Sequence, residues 1–194
     1  EIRFSHTNSL VIPNVPDKKL GDMLEEALVK EFSYNPSSVL RGLVSCVGSD
    51  YCNLAAIETK SMALKVAAQL EGKLPDTAPI NMHWSGCPAG CGNHLVADIG
   101  LLGKKMRRGN EVIEAVDIYM GGRTGIDPKL AVKVMEDVPC DQLAQVLELV
   151  VPYHTREKMH PIKGKKYARR RESPLPVKPK RQTENNMEEV KILH

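Results

Sequence analysis

Four cysteines stand in two close pairs, Cys46-x5-Cys52 and Cys87-x3-Cys91, within a glycine-rich part of the chain. Two pairs of thiols separated by a helix-length stretch can converge on one metal centre. The second pair reads Ser85-Gly86-Cys87-Pro88-Ala89-Gly90-Cys91-Gly92. Small neighbours let backbone amides approach sulfur, and amide donors to thiolates tune the potential of an iron–sulfur cluster. Pro88 suits the first position of a helix, so the spacing predicts a helix amino end facing the thiolates. Structural zinc is the second reading: the x3 pair has zinc-like spacing, whereas the x5 pair fits it poorly. Unrelated buried thiols are the third. Disulfides are not expected, because no apolar leader with a cleavage site opens the chain and clustered reduced cysteines more often bind metal. Cys140 has no neighbouring partner and reads as a buried structural cysteine ahead of a helix.

The elements that must position these thiols follow from the hydrophobic pattern. Ile2 to Val15 reads as a strand, and Asp17 as the cap of a helix with Leu20, Met23, Leu24, Ala27 and Leu28 on one stripe. Asn35-Pro36-Ser37-Ser38 is a turn, and the apolar run Val39 to Ser45 delivers Cys46. Cys52 is expected to begin a helix reaching Leu70, with Ala56, Thr59, Ala63, Val66, Ala67 and Leu70 on one face and Gly72 closing it. Pro79 to Trp84 reads as a buried strand leading to Cys87. Val96–Lys104 and Val112–Met120 read as strands joined by a hairpin at Arg108-Gly109-Asn110. Gly121 to Gly125 is a loop. Helices are expected near Pro128–Glu136 and Asp141–Val151; Leu143, Val146, Leu147 and Val150 line the second, and Pro152 stops it. Alternating strands and helices with hairpin connections predict an α+β class, a mixed sheet with flanking helices.

The chain has 194 residues, 42% hydrophobic and 26% charged, enough to bury a real core. No apolar run approaches the length of a membrane span. The net charge of +3 is uneven. Basic residues dominate from His160 to Arg181, punctuated by Pro161, Pro174, Pro176 and Pro179, so 160–194 is expected to be a disordered basic tail. Tyr167 is its lone aromatic, which leaves no stacking platform for single strands and makes nucleic acid an unexpected partner. The abrupt start at Glu1 suggests a piece of a longer polypeptide, or a processed form.

The run Leu43-Val44-Ser45-Cys46-Val47-Gly48-Ser49-Asp50-Tyr51-Cys52-Asn53-Leu54-Ala55-Ala56-Ile57-Glu58-Thr59-Lys60 resembles the first cluster motif of the nitrite and sulfite reductases. Met82-His83-Trp84-Ser85-Gly86-Cys87-Pro88-Ala89-Gly90-Cys91-Gly92 resembles the second. Ala97-Asp98-Ile99-Gly100 and Gly121-Gly122-Arg123 follow in the family's order. The resemblance covers about residues 1–155 and corresponds to the C-terminal portion of such enzymes. It implies that Cys46, Cys52, Cys87 and Cys91 bind a 4Fe–4S cluster, with Cys91 also bridging to the iron of a sirohaem.

Cys52-Asn53 followed by Ile57-Glu58-Thr59-Lys60, with the His83-to-Pro88 run, looks more like ferredoxin-dependent nitrite reductase than sulfite reductase. Val47 and Ala89-Gly90 depart from the family's usual residues, which bears on substrate more than on the cluster. The implied activity is six-electron reduction of nitrite to ammonia with reduced ferredoxin as donor; assimilatory sulfite reduction is the alternative. The implied compartment is the cytoplasm, or the plastid stroma in a photosynthetic eukaryote. Most basic residues of the family's substrate pocket belong to the preceding half, so this chain is expected to be incomplete without it. Residues 1–159 are then the 4Fe–4S and sirohaem domain, and 160–194 an added tail.

Arg123 is a candidate partner for sirohaem carboxylates, and Asn8 and Asn53 for hydrogen bonds to the cofactor. Arg41 is the candidate for a basic surface facing an acidic ferredoxin. Lys60, two turns into its expected helix, reads as a solvated charge. His83, a strand histidine next to Trp84, reads as packed and hydrogen-bonded in the core rather than as an acid beside a stacking platform. From other classes, a non-catalytic cluster-carrying module and a zinc-stabilised module with a basic tail are also compatible with the residues.

Overall fold

The computed structural model describes residues 1–159 apart from 6–8, 75–77 and 126, with side chains described as far as His154. All of these lie in the first of two units into which the chain divides, Glu1–Pro161. The tail expected at 160–194 lies outside the described residues.

A five-stranded mixed sheet organises this unit. Its strands are β3 (Leu43–Ser45), β4 (Met82–Ser85), β5 (Ile99–Arg108), β6 (Glu111–Met120) and β7 (Val132–Pro139), in spatial order β3-β4-β5-β6-β7. The first three run parallel and the last three antiparallel. The expected α+β class with a mixed sheet and flanking helices therefore holds. The hairpin between β5 and β6 turns on Gly109-Asn110, with Gly109 at φ +64°. Glycine at the first central position of a two-residue turn matches the right-handed twist of the strands.

The core lies on one face of the sheet, beneath helices α4 (Lys60–Lys73) and α5 (Leu143–Met159). Ala63, Val66, Ala67 and Leu70 of α4 and Leu143, Leu147 and Val151 of α5 pack against Met82, Trp84, Ile99, Leu101, Val116 and Ile118. Trp84 is the largest fully buried side chain, and its indole N–H has no hydrogen-bond partner among the described residues. Leaving such a donor unpaired costs about 1–3 kcal/mol, which ring packing must offset.

Several elements differ from the expected ones. Helix α4 begins at Lys60 rather than Cys52, so Lys60 is its first residue. The reason is Glu58: its carboxylate accepts from the amides of Lys60, Ser61 and Met62 at 2.7–3.2 Å and from Ser61 Oγ. This satisfies the orphan donors of a helix start, which leaves residues 46–58 outside the helix. Gly72 lies inside α4 and Leu74 caps it.

The helix expected at Pro128–Glu136 is strand β7, paired with β6 through an irregular register. Its β-branched Val132 and Val134 suit an edge strand, and the ladder satisfies its backbone. Pro152 sits inside α5 rather than ending it, and the buried stripe continues past it to His154. Val39 belongs to a short helix α3 (Ser38–Arg41) capped by Ser37 Oγ, which accepts from Leu40 N at 3.0 Å.

The N-terminal segment is a two-residue-per-strand hairpin, β1 (Arg3–Phe4) with β2 (Leu10–Val11), followed by α1 (Asp17–Glu25) and α2 (Ala27–Glu31). The single strand and single helix expected there are broken: Glu26 takes an extended backbone between two helices, and Asp17 lies in the first turn without capping it. No described residue before Val39 is buried. Among the described residues no helix is long and apolar enough to cross a membrane.

Candidate metal centre

Because β3 and β4 are parallel neighbours, the loops after them leave the same edge of the sheet. Ser45 faces Trp84 in register, and Cys46 N extends the ladder by donating to Trp84 O at 3.0 Å. The chain after β3 thus presents Cys46, and the chain after β4 presents Gly86-Cys87. The carboxyl ends of parallel strands are where open sheets bind ligands.

Gly86 N donates to Cys46 Sγ at 3.1 Å, joining the two loops through sulfur itself. Thr59 Oγ1 lies 3.7 Å from the same sulfur and donates to Cys46 O at 2.7 Å. Cys52 sits in the loop that α4 does not absorb. Ala55 N donates to Cys52 O at 3.1 Å and Ala56 N to Gly86 O at 2.7 Å, which ties that loop to the residue before Cys87. Ile57, fully buried beneath it, pins the loop to β5, and Ser49 N donates to Ile57 O at 3.0 Å. Gly48 turns at φ +72°, and a Cβ there would stand 2.6 Å from Thr59 N.

No helix follows Pro88, contrary to expectation. Gly90 N donates to Cys87 O at 3.1 Å and Asn93 N to Gly90 O at 2.8 Å, two successive turns made by the left-handed residues Gly90 (φ +72°) and Asn93 (φ +54°). Helix polarity therefore does not act on Cys87. The loop presses onto β4 so closely that a Cβ on Gly92 would lie 1.9 Å from Trp84 O. Beneath it, Ser85 Oγ accepts from Gly92 N at 3.2 Å and lies 3.0 Å from His94 Nδ1. His94 is buried, and burial lowers its pKa, which keeps the ring neutral.

Cys46, Cys52 and Cys87 are partly buried, Cys91 is exposed, and all are free thiols. Among the described residues no three His, Cys, Asp or Glu side chains gather closely enough to hold a single metal ion. A tetrahedral zinc site would need its ligands around one point. A cubane takes one thiolate at each of its four irons, so its ligands surround a volume instead. The residues fit such a group: the donor set is all cysteine, and an amide already points at a ligand sulfur.

The remaining candidates make contacts of their own. Arg123 reaches its own loop, donating through Nε to Asp127 O at 2.8 Å and pairing with the Asp127 carboxylate. Asn53 is exposed in the turn after Cys52, and Asn8 lies outside the described residues. Arg41 ends α3 and donates to Asn35 Oδ1 at 2.8 Å and Pro36 O at 3.3 Å. Trp84 is a core residue as expected, while His83 is half-buried with Nδ1 3.2 Å from Asn93 O. Cys140 packs at the edge of the core; burial, then Glu114 and Asp141, push its thiol up to about 12, so it is unreactive.

Sequence reasoning missed Thr59, Glu58, Ser85 and His94. Glu58 followed by a helical apolar period was the available signal for the first pair.

Cysteines on the loops at the carboxyl ends of adjacent parallel strands are a donor arrangement that suits an iron–sulfur protein. The family model described as "Nitrite and sulphite reductase 4Fe-4S domain" matches residues 37–172, and the chain belongs to that family. It is 44% identical over 147 residues to a ferredoxin–nitrite reductase of Synechococcus elongatus, covering 76% of this chain and 29% of the relative. It is 43% identical over 148 residues to a chloroplastic ferredoxin–nitrite reductase of Oryza sativa subsp. japonica, covering 76% and 25%. The solved Mycobacterium tuberculosis NirA protein superimposes with a TM-score of 0.73 at 28% identity, over 82% of this chain and 32% of that one. The chain thus spans under a third of the length of each of these relatives.

Proposed function

We propose that this chain is the cluster-bearing part of a ferredoxin-dependent nitrite reductase. Cys46, Cys52, Cys87 and Cys91 hold a 4Fe–4S cluster, and Cys91 is shared with a sirohaem iron. The observation that carries the reading is the Gly86 N–H directed at Cys46 Sγ across two loops that leave adjacent parallel strands. When bound, the paired centres supply electrons singly for the six-electron conversion of nitrite to ammonia.

The protein's own residues do the rest. The β3–β4 ladder fixes the spacing of the first and third cysteines, Gly86 N–H tempers the charge on Cys46, and the Ile57 plug keeps water from the rear of the site. Cys91, the exposed thiol of the four, faces outward, where a second cofactor has room. Asn53 and Arg123 border that side in the reading, Arg123 after exchanging Asp127 for a cofactor carboxylate. Residues 1–159 form the domain, with 160–194 as an appended tail.

The partner that completes the site is the preceding half of the same enzyme, which carries the basic residues for the anion. This is supported by the exposed apolar side chains of Phe4, Leu10, Leu28 and Phe32, which need a covering surface. Reduced ferredoxin docks beside the first loop, where a shallow groove lined by Leu40, Leu43 and Leu64 carries Lys60 on its rim and Arg41 stands close in sequence. The chloroplastic and cyanobacterial relatives support a plastid stroma or cytoplasm as the compartment.

Turnover of the full-length protein with reduced ferredoxin tests the reading. Nitrite consumption exceeding sulfite consumption supports it, and preferred sulfite turnover replaces it with the sister activity.

A further inference from the structure

Cys91 is exposed, yet the residue after it is tied to a buried serine that meets one buried ring, and the residue before it lies near that ring. His94 lies under Gly90: a Cβ placed on Gly90 would stand 3.7 Å from His94 Cε1 and 3.9 Å from Nδ1. The same Nδ1 lies 3.0 Å from Ser85 Oγ, which in turn accepts from Gly92 N at 3.2 Å. Tyr119 on β6 meets the imidazole edge-on, with centroids 5.2 Å apart at 63°. A Cβ on Gly100 would lie 1.9 Å from His94 O, so β5 packs tightly against the backbone that carries the histidine.

The residue before Cys91 therefore lies near the imidazole, and the residue after it hangs from the serine that meets the imidazole. Ser85 is 1% exposed and His94 6% exposed, so neither is held there by solvent. A surface thiol needs no such support to stay soluble. A thiol that must keep a fixed direction does, because an exposed turn otherwise samples several conformers.

We propose that His94, braced by Tyr119 and acting through Ser85, is a positioning residue that fixes the direction of the Cys91 thiolate and thereby the coupling between the two centres. The proposal rests on the reading of Cys91 as a ligand, but its mechanical half does not. With neutral imidazole, Ser85 O–H donates to Nδ1 while its oxygen still accepts Gly92 N–H, so both hydroxyl functions are used.

The experiment uses the full-length protein with Ser85→Ala, His94→Leu and His94→Asn, the last retaining a polar atom near the Nδ1 position. Amide hydrogen exchange at Gly92, read in protein stripped of iron, should speed up about fivefold in Ser85→Ala and His94→Leu, the scale of one lost neutral hydrogen bond. Exchange in the Ser49–Ile57 loop should stay unchanged, and His94→Asn should restore most of the protection. In loaded protein the same two variants should keep their iron while the spectroscopic cluster–haem coupling weakens, again with rescue by His94→Asn.

Unchanged Gly92 exchange in both variants overturns the brace. Equal acceleration in the Ser49–Ile57 loop also overturns it, since the residues would then serve general stability. Faster exchange with coupling unaltered overturns the link to Cys91 direction. Absence of any cluster in the unmodified protein instead rejects the ligand reading and leaves the exchange result standing.

Discussion

The two cysteine loops differ in what holds them. The first is held through its sulfur: Cys46 is partly buried, receives the Gly86 amide and sits beside the Thr59 hydroxyl, and its loop is plugged by Ile57. The second is held through its backbone, with Gly92 pressed on Trp84 and hung from Ser85 while Cys91 is exposed. One loop sets the electronic surroundings of a ligand and the other sets only its direction. If Cys46 serves one centre and Cys91 two, as proposed, the contrast teaches that the first sulfur can be enclosed whereas the second must be fixed without being covered.

The largest effect should come from Cys91→Ala, which is expected to remove both the cluster and its coupling to the haem, read by iron content and electron paramagnetic resonance. Retained coupling would erase the distinction between the loops. Next, Gly92→Ala forces a Cβ to within 1.9 Å of Trp84 O, backbone against strand, whereas a Cβ on Gly90 meets His94 at an ordinary contact distance of 3.7 Å, though at a left-handed φ of +72°. Gly92→Ala should lower the unfolding free energy by about 3 kcal/mol or more, and Gly90→Ala by about 1 kcal/mol. Equal losses in denaturant melts would show that the second loop is not clamped at Gly92.

The smallest effect concerns the first loop's exit. Glu58 caps α4, and Glu58→Ala should cost about 1 kcal/mol. Burial pushes this carboxyl up, but the hydrogen bonds from Ser61, Met62 and Lys60 together outweigh it and hold the pKa below 4.5. A depressed folded-state pKa stabilises the fold above the ordinary value. That contribution fades as pH falls through the folded-state value. The unmodified protein should therefore lose its advantage over Glu58→Ala on acidification below about pH 4.5. A difference that is constant with pH would assign the cap to packing instead.

Much of the site was legible because thiols are rare and their spacing is chemical rather than conformational. The core face of α4 was also legible, since Ala63, Val66, Ala67 and Leu70 repeat with helical period and are buried. Strand β7 was not. It is an edge strand whose Val132, Val134 and Met135 are all exposed, so burial imprints no alternation on it, and Pro128 imitates a helix start. The start of α4 was misplaced because Ala55 and Ala56 extend the apolar period backwards, while Gly48 and the Glu58 cap decide the actual boundary. The N-terminal stripe Leu20, Met23, Leu24, Ala27 and Leu28 was read as one helix, but Glu26 interrupts it and nothing in the described residues covers it. The Ser85–His94 brace left no sequence signal at all. It depends on a strand serine and a short 3-10 helix meeting under a turn, which pattern cannot announce.

Mössbauer spectroscopy of the full-length protein, produced anaerobically with enriched iron, addresses the central claim most directly. One 4Fe–4S cluster per chain, lost in Cys46→Ala and in Cys87→Ala alike, is the result this account requires. A cluster that survives in the protein lacking both of those thiols would contradict it.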